Sequence, residues 1–372
     1  MTSSESQSSR VPVAASAPGK VILMGEHAVV YGRPALVAAL DLRLTASLAP
    51  VAGEAVHLEL PGLGHSERMS WTELRTYARA VHELWEGYAR QPAAAGFRAV
   101  RGEDPAHVVK VALGETAEAL ADEASLPLLG CRLRVTSELP VGSGFGSSAA
   151  TATALVAAVL AFHGQPADPS RIERLALEVE RRQHGLPSGV DGATVLHGGV
   201  LWARKLSEGG LEIERIATHS PLLGRLRVYD SGIPADPTGA VVAAVRERRD
   251  REFARIEGLH DRMEAAARTV RAELERDEED PDRTLHAIRE NEACLEGLGV
   301  VPEEVRGVIR RVESAGGAAK ISGAGSLRGP GGGSLLVYHP DPERIAGWTF
   351  LQPFPFYPVH LGAPGFREEA SG

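Results

Sequence analysis

Residues Leu139–Gly164, LPVGSGFGSSAATATALVAAVLAFHG, place three glycines at alternate positions, Gly142, Gly144 and Gly146, directly before two serines and a long apolar run. Upstream, CRLRVT at Cys131–Thr136 alternates apolar and polar residues as a half-buried strand does. Downstream, Ala149–Phe162 is rich in Ala and Leu and stops at Gly164, so the segment reads as strand, glycine loop and helix, with Ser147 or Ser148 as the helix cap. The first N–H groups of a helix have no partner inside it and carry the positive end of its dipole. Glycines without a Cβ let a phosphate come up against that backbone, so the junction is a candidate anion site. A glycine-rich turn can also join a strand to a helix with no ligand. Two familiar phosphate motifs fit badly. A P-loop has a Lys after its last glycine, and none is here. A dinucleotide fingerprint has an acidic residue ending the next strand, whereas Asp168 in PADPSRIE starts a helix.

At 372 residues, 43% hydrophobic and 24% charged, the chain is long enough for two domains with real cores. A net charge of −9 argues against nucleic acid or an anionic membrane as partner, because both reward broad basic patches. Cys131 and Cys294 are the only cysteines; they lack metal-ligand spacing and fit a reducing, cytoplasmic location, each read as simply buried. MTSSESQSSR has no apolar core, so residues 1–11 read as a disordered tail and not a signal peptide. The longest apolar run is too short to span a bilayer.

Lysine is scarce: Lys20, Lys110, Lys205 and Lys320 stand among forty basic residues, and two of the four lie beside glycine motifs. A compact ammonium differs chemically from a guanidinium fork, so a lysine kept beside a turn suggests a specific charge contact. The first of these motifs, VPVAASAPGKVILMGEH, reads as a strand through Pro12–Ser16, a turn at Pro18-Gly19 and a second strand. Glu26 and His27 end that strand, where a scaffold could aim them into a cleft, although such a pair is also a common surface feature. RPALVAALDLRLTASLAP and AVHLELPG supply further strands. Residues 71–90 and 104–124 read as helices separated by an irregular connection, with His82 and Glu83 on a solvated face.

A second constellation follows in EVERRQHGLPSGVDGATVLHGGV. Glu180 lies near a helix end, and the turn residues Gly185, Pro187 and Gly189 could bring Asp191 back towards it and the glycine loop. Two carboxylates near a phosphate suit a divalent cation and a proton acceptor. The alternative puts Glu180 in a surface charge cluster with Arg181 and Arg182, and Asp191 in an Asx turn. Neither a G-x-S-x-G elbow nor an H-E-x-x-H is present, which weakens hydrolase readings.

Three separated segments, APGKVILMGEHAVVYG, ELPVGSGFGSSAA and KISGAG with its following glycines, together resemble the signature segments of the GHMP kinases, the group that includes galactokinase and the homoserine, mevalonate and phosphomevalonate kinases. GEHAVV and HGLPSGVD most resemble the mevalonate kinases within it. The resemblance runs from about Ala15 to about Tyr338. It implies an α+β, two-domain fold: an N-terminal α/β domain like ribosomal protein S5 domain 2 over residues 12–220, carrying the ATP site, and a C-terminal ferredoxin-like α+β domain over residues 221–372.

The same resemblance implies roles. Asp191 would be the catalytic base and Lys20 the lysine stabilising the alkoxide. Ser148 and Glu180 would be Mg²⁺ ligands. Ser137, Gly142, Ser143, Gly144, Phe145, Gly146, Ser147, Ser148, Gly323 and Gly325 would surround the ATP, while Glu26, His27 and Thr238 would lie at the mevalonate site. The implied reaction is ATP- and Mg²⁺-dependent formation of 5-phosphomevalonate and ADP, with mevalonate and ATP as small-molecule partners and a homodimer allowed. Phosphomevalonate kinase would more often show GEYAVV, and an idle nucleotide-binding protein would not keep Lys20, Glu180 and Asp191 together. Three positions depart from the family pattern. Ser326–Pro330 lengthen the third glycine motif, where Arg328 could add a cation for the phosphates. Gly62 stands where an asparagine can contact nucleotide, and Thr151 replaces an aromatic residue.

Overall fold

The computed structural model describes residues 11–92, 94–124 and 127–370, so the expected N-terminal tail lies outside the described residues except for Val11. Chain order begins β1 (Val13–Met24), β2 (Pro34–Pro50), β3 (Ala55–Leu60), β4 (His65–Ser70), α1 (Trp71–Arg90), α2 (Ala94–Arg101), α3 (His107–Ala124) and β5 (Cys131–Ser137). It continues α4 (Ser147–Phe162), α5 (Pro169–His184), α6 (Val190–His197), β6 (Val200–Lys205) and β7 (Leu211–Arg215). The remainder is α7 (Leu222–Arg225), β8 (Leu226–Asp230), α8 (Thr238–Arg251), α9 (Phe253–Glu275), α10 (Pro281–Leu298), α11 (Glu303–Ser314), β9 (Ala318–Ser322), β10 (Ser334–Tyr338), α12 (Glu343–Ala346), β11 (Phe356–Tyr357) and β12 (Arg367–Glu369).

The first sheet grows from the 17-residue strand β2, which pairs with β1 on one edge and on the other divides its length between β5 and β6. The order is β12-β1-β2-β5-β3-β4, with β7 added outside β6 and only β3–β5 parallel. Helix α4 is apolar all round and almost wholly buried against β1, β2, α3 and α5, as expected of a core helix. The expected turn at Pro18-Gly19 is instead a bulge inside one continuous strand, marked by a register shift between Pro18 and Lys20. Proline has no N–H for the ladder and is tolerated at a bulge. A Cβ on Gly19 would come within 2.8 Å of the Phe145 carbonyl, so this close approach needs glycine. The connection expected after α1 contains the helix α2, and β4 is a strand that the sequence pattern did not show.

The second unit is antiparallel, with strand order β11-β8-β10-β9. Taken with its helices this is a β-α-β-β-α-β arrangement, the ferredoxin-like pattern. The single long helix expected over 240–274 is two, α8 and α9, separated at Glu252 with φ −127° and ψ 46°. No glycine or proline signals the bend. It is braced by Arg249, whose guanidinium lies 4.7 Å from the Phe253 ring centre and donates to Glu257 at 2.7 Å. Among the described residues no helix is long and apolar enough to cross a membrane.

Assigning all of 221–372 to the second domain needs correction at the C-terminus. Gly199 donates to the Ala363 carbonyl at 2.7 Å, Phe366 donates to Leu196, and β12 pairs with Ala14–Ser16 of β1. Gly198, at φ +68° and bridged to Pro364, has room only for hydrogen on its α-carbon because Gly365 N fills the space. Gly198→Ala is therefore expected to cost about 2–4 kcal/mol and to lower the thermal midpoint by several degrees, measured by scanning calorimetry.

Candidate active site

The glycine loop takes its shape from three left-handed residues: Gly142, Gly144 and Gly146 have φ of 79°, 80° and 77°. Gly146 is itself the N-cap of α4, and no side chain caps the helix. Ser147 and Ser148 are thus its first two residues rather than its cap, which leaves the first N–H groups of α4 facing the cavity without a side-chain acceptor. Lys20 reaches this loop from β1. Its N–H donates to the Phe145 carbonyl at 2.9 Å and its Nζ to the Gly144 carbonyl at 3.4 Å. A Cβ on Gly146 would lie 2.7 Å from Lys20 Cγ, so the lysine stem rests where any other residue would put a side chain.

Lys20 Nζ meets Asp191 Oδ2 at 3.1 Å; the lysine is buried and the aspartate one-third exposed to the cavity. Asp191 sits in the first turn of α6, delivered there by Gly189 at φ 87°. Glu180 comes from the last turns of α5 and is buried, so it is no part of a surface charge cluster. Burial, reinforced by the charge of Asp191, pushes its carboxyl up to about 8, with Ser148 and Lys20 pulling the other way. Its Oε1 has no hydrogen-bond partner. Ser148 Oγ also bonds His184 Nε2 at 2.7 Å, one helical turn beyond Glu180. Burial lowers His184 to about 4, so this imidazole is neutral at pH 7. The sequence signal that places His184 beside this carboxylate is its i+4 spacing from Glu180 on α5.

Of the other expected nucleotide residues, Ser137, Gly142, Gly144, Gly146, Ser147, Ser148, Gly323 and Gly325 line one cavity of about 1270 Å³. Two do not reach it. Ser143 Oγ donates to Asp230 Oδ2 at 2.6 Å, and the Phe145 ring packs 5.0 Å from that of Tyr357. Both side chains anchor the loop to the second domain, because the three left-handed glycines alternate with residues that must point the other way.

Glu26 and His27 are buried rather than surface groups. Glu26 Oε1 pairs with Lys320 and its Oε2 accepts from Asn291 Nδ2 at 3.1 Å, so both oxygens are committed to the second domain. His27 is the one non-glycine residue with positive φ among those described, at 57°. Its Nε2 donates to the Ala324 carbonyl at 2.9 Å, and burial lowers it to about 4. Both residues and Thr238, the first residue of α8, line the same cavity.

The family model for the GHMP kinase N-terminal domain matches residues 107–199. The mevalonate kinase of Methanothermobacter thermautotrophicus is 30% identical over 330 residues, covering 88% of this chain and 90% of the relative. That of Pyrococcus furiosus is 30% identical over 356 residues, covering 91% and 94%. The chain belongs to the GHMP kinase family. The crystal structure of Methanococcus jannaschii mevalonate kinase shares the fold, with TM-score 0.68 at 18% identity over 94% of this chain and 98% of that one.

In this GHMP kinase the lengthened third motif is fastened by Asp236, which no motif in the sequence marks. Buried Asp236 accepts from Ser326 Oγ at 3.2 Å, Leu327 N at 3.1 Å and Arg328 Nε at 2.9 Å. Arg328 is therefore no phosphate cation: its side chain is 77% exposed, paired with Asp236 and outside the cavity lining. Gly62 and Thr151 do line the cavity. Because Asp236 holds three donors and Arg328 one exposed ion pair, Asp236→Ala should raise the ATP KM more than Arg328→Ala, which should leave it near the parent value.

Among the described residues, no three His, Cys, Asp or Glu side chains form a ready metal cage. Glu180 also permits a stability test. Its folded-state value lies above the ordinary 4.5, so stability falls as pH rises from about 4.5 to about 8 and levels off above. The Glu180→Gln protein lacks that loss. Its thermal midpoint relative to the parent should rise across the same window and then stay constant.

Proposed function

We propose that this GHMP kinase transfers the γ-phosphoryl group of ATP to the C5 hydroxyl of mevalonate. The observation that carries the reading is Lys20 Nζ held between Gly144 O and Asp191 Oδ2, which puts a proton acceptor and a cation together at the glycine loop. The mevalonate kinases that match at 30% identity along most of their length supply the acceptor.

In the reaction the acceptor hydroxyl gives its proton to Asp191 as its oxygen bonds to the γ-phosphorus; the bond to the β,γ-bridging oxygen breaks and ADP departs. Lys20 stabilises the developing alkoxide. The unpaired N–H groups at the start of α4 and the open glycine backbone receive the phosphates. Ser148 and Glu180 would hold Mg²⁺, a fit supported by the buried, partnerless Glu180 Oε1, since this cation binds through one or two carboxylates completed by substrate phosphates. When bound, it neutralises phosphate charge. His184 holds the Ser148 hydroxyl by a hydrogen bond through Nε2. Positioning and charge neutralisation are most of what phosphoryl transfer asks of a protein.

A coupled ADP-release assay across mevalonate, phosphomevalonate, galactose and homoserine tests the reading. Turnover is expected with mevalonate, and turnover with any of the others but none with mevalonate would refute it. Asp191→Asn should lower kcat by orders of magnitude while ATP binding, followed by calorimetry, stays close to the parent.

A further inference from the structure

Three of the four lysines are ion-paired: Lys20 with Asp191, Lys110 with Glu67 and Asp104, and Lys320 with Glu26. Lys205, the last residue of β6, makes no ion pair among the described residues. It is half-buried, and its charged neighbours are Arg246 and Arg181; burial first, then these like charges, lower it below the ordinary lysine range. Such an arrangement disfavours the ammonium unless an anion joins it.

Lys205 lines the same cavity as Lys20 and Asp191. Strand alternation sets it on the face of Ala203, which packs with Ile22, Val29 and Val190 in a small apolar cluster, and its ladder partner Leu211 packs against that cluster too. This side of the cavity therefore has an apolar floor with a cation at one end. Two other polar groups of the cavity lining are engaged, Glu26 by Lys320 and Asn291 and His27 by the Ala324 carbonyl. Mevalonate is a short chain with a methyl-bearing middle, a hydroxyl at one end and a carboxylate at the other. We propose that Lys205 is the carboxylate-binding residue of the acceptor subsite, holding the acid end of mevalonate while its C5 hydroxyl lies at the Lys20–Asp191 pair. The inference rests on the acceptor proposed above. It gives a task to the one lysine that makes no ion pair among the described residues, and an ammonium suits a single carboxylate without the fixed fork of an arginine.

Because Lys205 pairs with no anion among the described residues, replacing it removes like-charge repulsion and should leave the fold intact. The test compares parent, Lys205→Met and Lys205→Arg with mevalonate and with mevalonamide, in which a neutral carboxamide replaces the carboxylate. In Lys205→Met the KM for mevalonate should rise roughly ten- to hundredfold, as expected for loss of a charge-assisted hydrogen bond, with the ATP KM within about twofold of the parent. The preference for mevalonate over mevalonamide should collapse towards unity, and Lys205→Arg should restore part of it. A Lys205→Met enzyme that keeps the parent preference, or whose KM rises equally for both acceptors, would overturn the subsite while leaving the proposed function standing. A parent enzyme inactive on mevalonate would overturn both.

Discussion

The close passage of Lys20 across Gly146 governs the architecture of the site. A lysine from the first strand can lie across a glycine loop some 120 residues later only if the loop has no side chain where the lysine stem lies, and only if the strand is pushed towards it. Gly146 meets the first condition, and the bulge between Pro18 and Lys20 meets the second. The backbone bond from Lys20 N to Phe145 O then fixes the register of the two segments, so that Nζ falls beside Asp191. In a P-loop the lysine belongs to the loop itself. Here tertiary packing replaces sequence proximity, which is why the core helix α4 is buried so completely: any shift of α4 against β1 would separate the groups.

The two domains are tied by charge as well as by apolar contact. Lys320 and Glu26 form a buried pair whose remaining polar atoms are engaged by Asn291 and by the Ile22 and Ile321 carbonyls. Nearby, Ile22 N donates to Ser322 Oγ at 2.7 Å. A pair of this kind adds little net stability compared with a well-packed apolar alternative, yet removing one partner strands the other charge. Its effect is to make one interdomain register far better than its neighbours. His27, in an unfavourable left-handed conformation, is held between this pair and Ala324, so the strain sits where both domains over-determine it.

Much of this was legible in the sequence. The alternation in CRLRVT, the glycine spacing, the apolar run of α4 and the carboxylates at 180 and 191 are local patterns, and local patterns survive folding. The site residues drawn from the family resemblance fall largely into one cavity for the same reason. What could not be read was set by backbone conformations and side-chain partners that no local pattern announces. Nothing local distinguishes Ser147 or Ser148 as a cap from either as a helical residue; the left-handed Gly146 decides it. Ser143 and Phe145 sit in the loop yet face the second domain because of Asp230 and Tyr357. Arg328 looked available until Asp236, some ninety residues earlier, took it up. The bend at Glu252 has no breaker residue and depends on Arg249 and its two partners.

The pairing of Arg367–Glu369 with Ala14–Ser16 also bears on how the protein is made. The first strand emerges from the ribosome roughly 350 residues before its outer neighbour does. At ordinary synthesis rates the gap is on the order of tens of seconds, during which one edge of β1 has open N–H and C=O groups. An unpaired edge is a template for other strands. The nascent chain therefore passes through both domains with this edge still unsealed, and Arg367–Glu369 close it only once they have emerged.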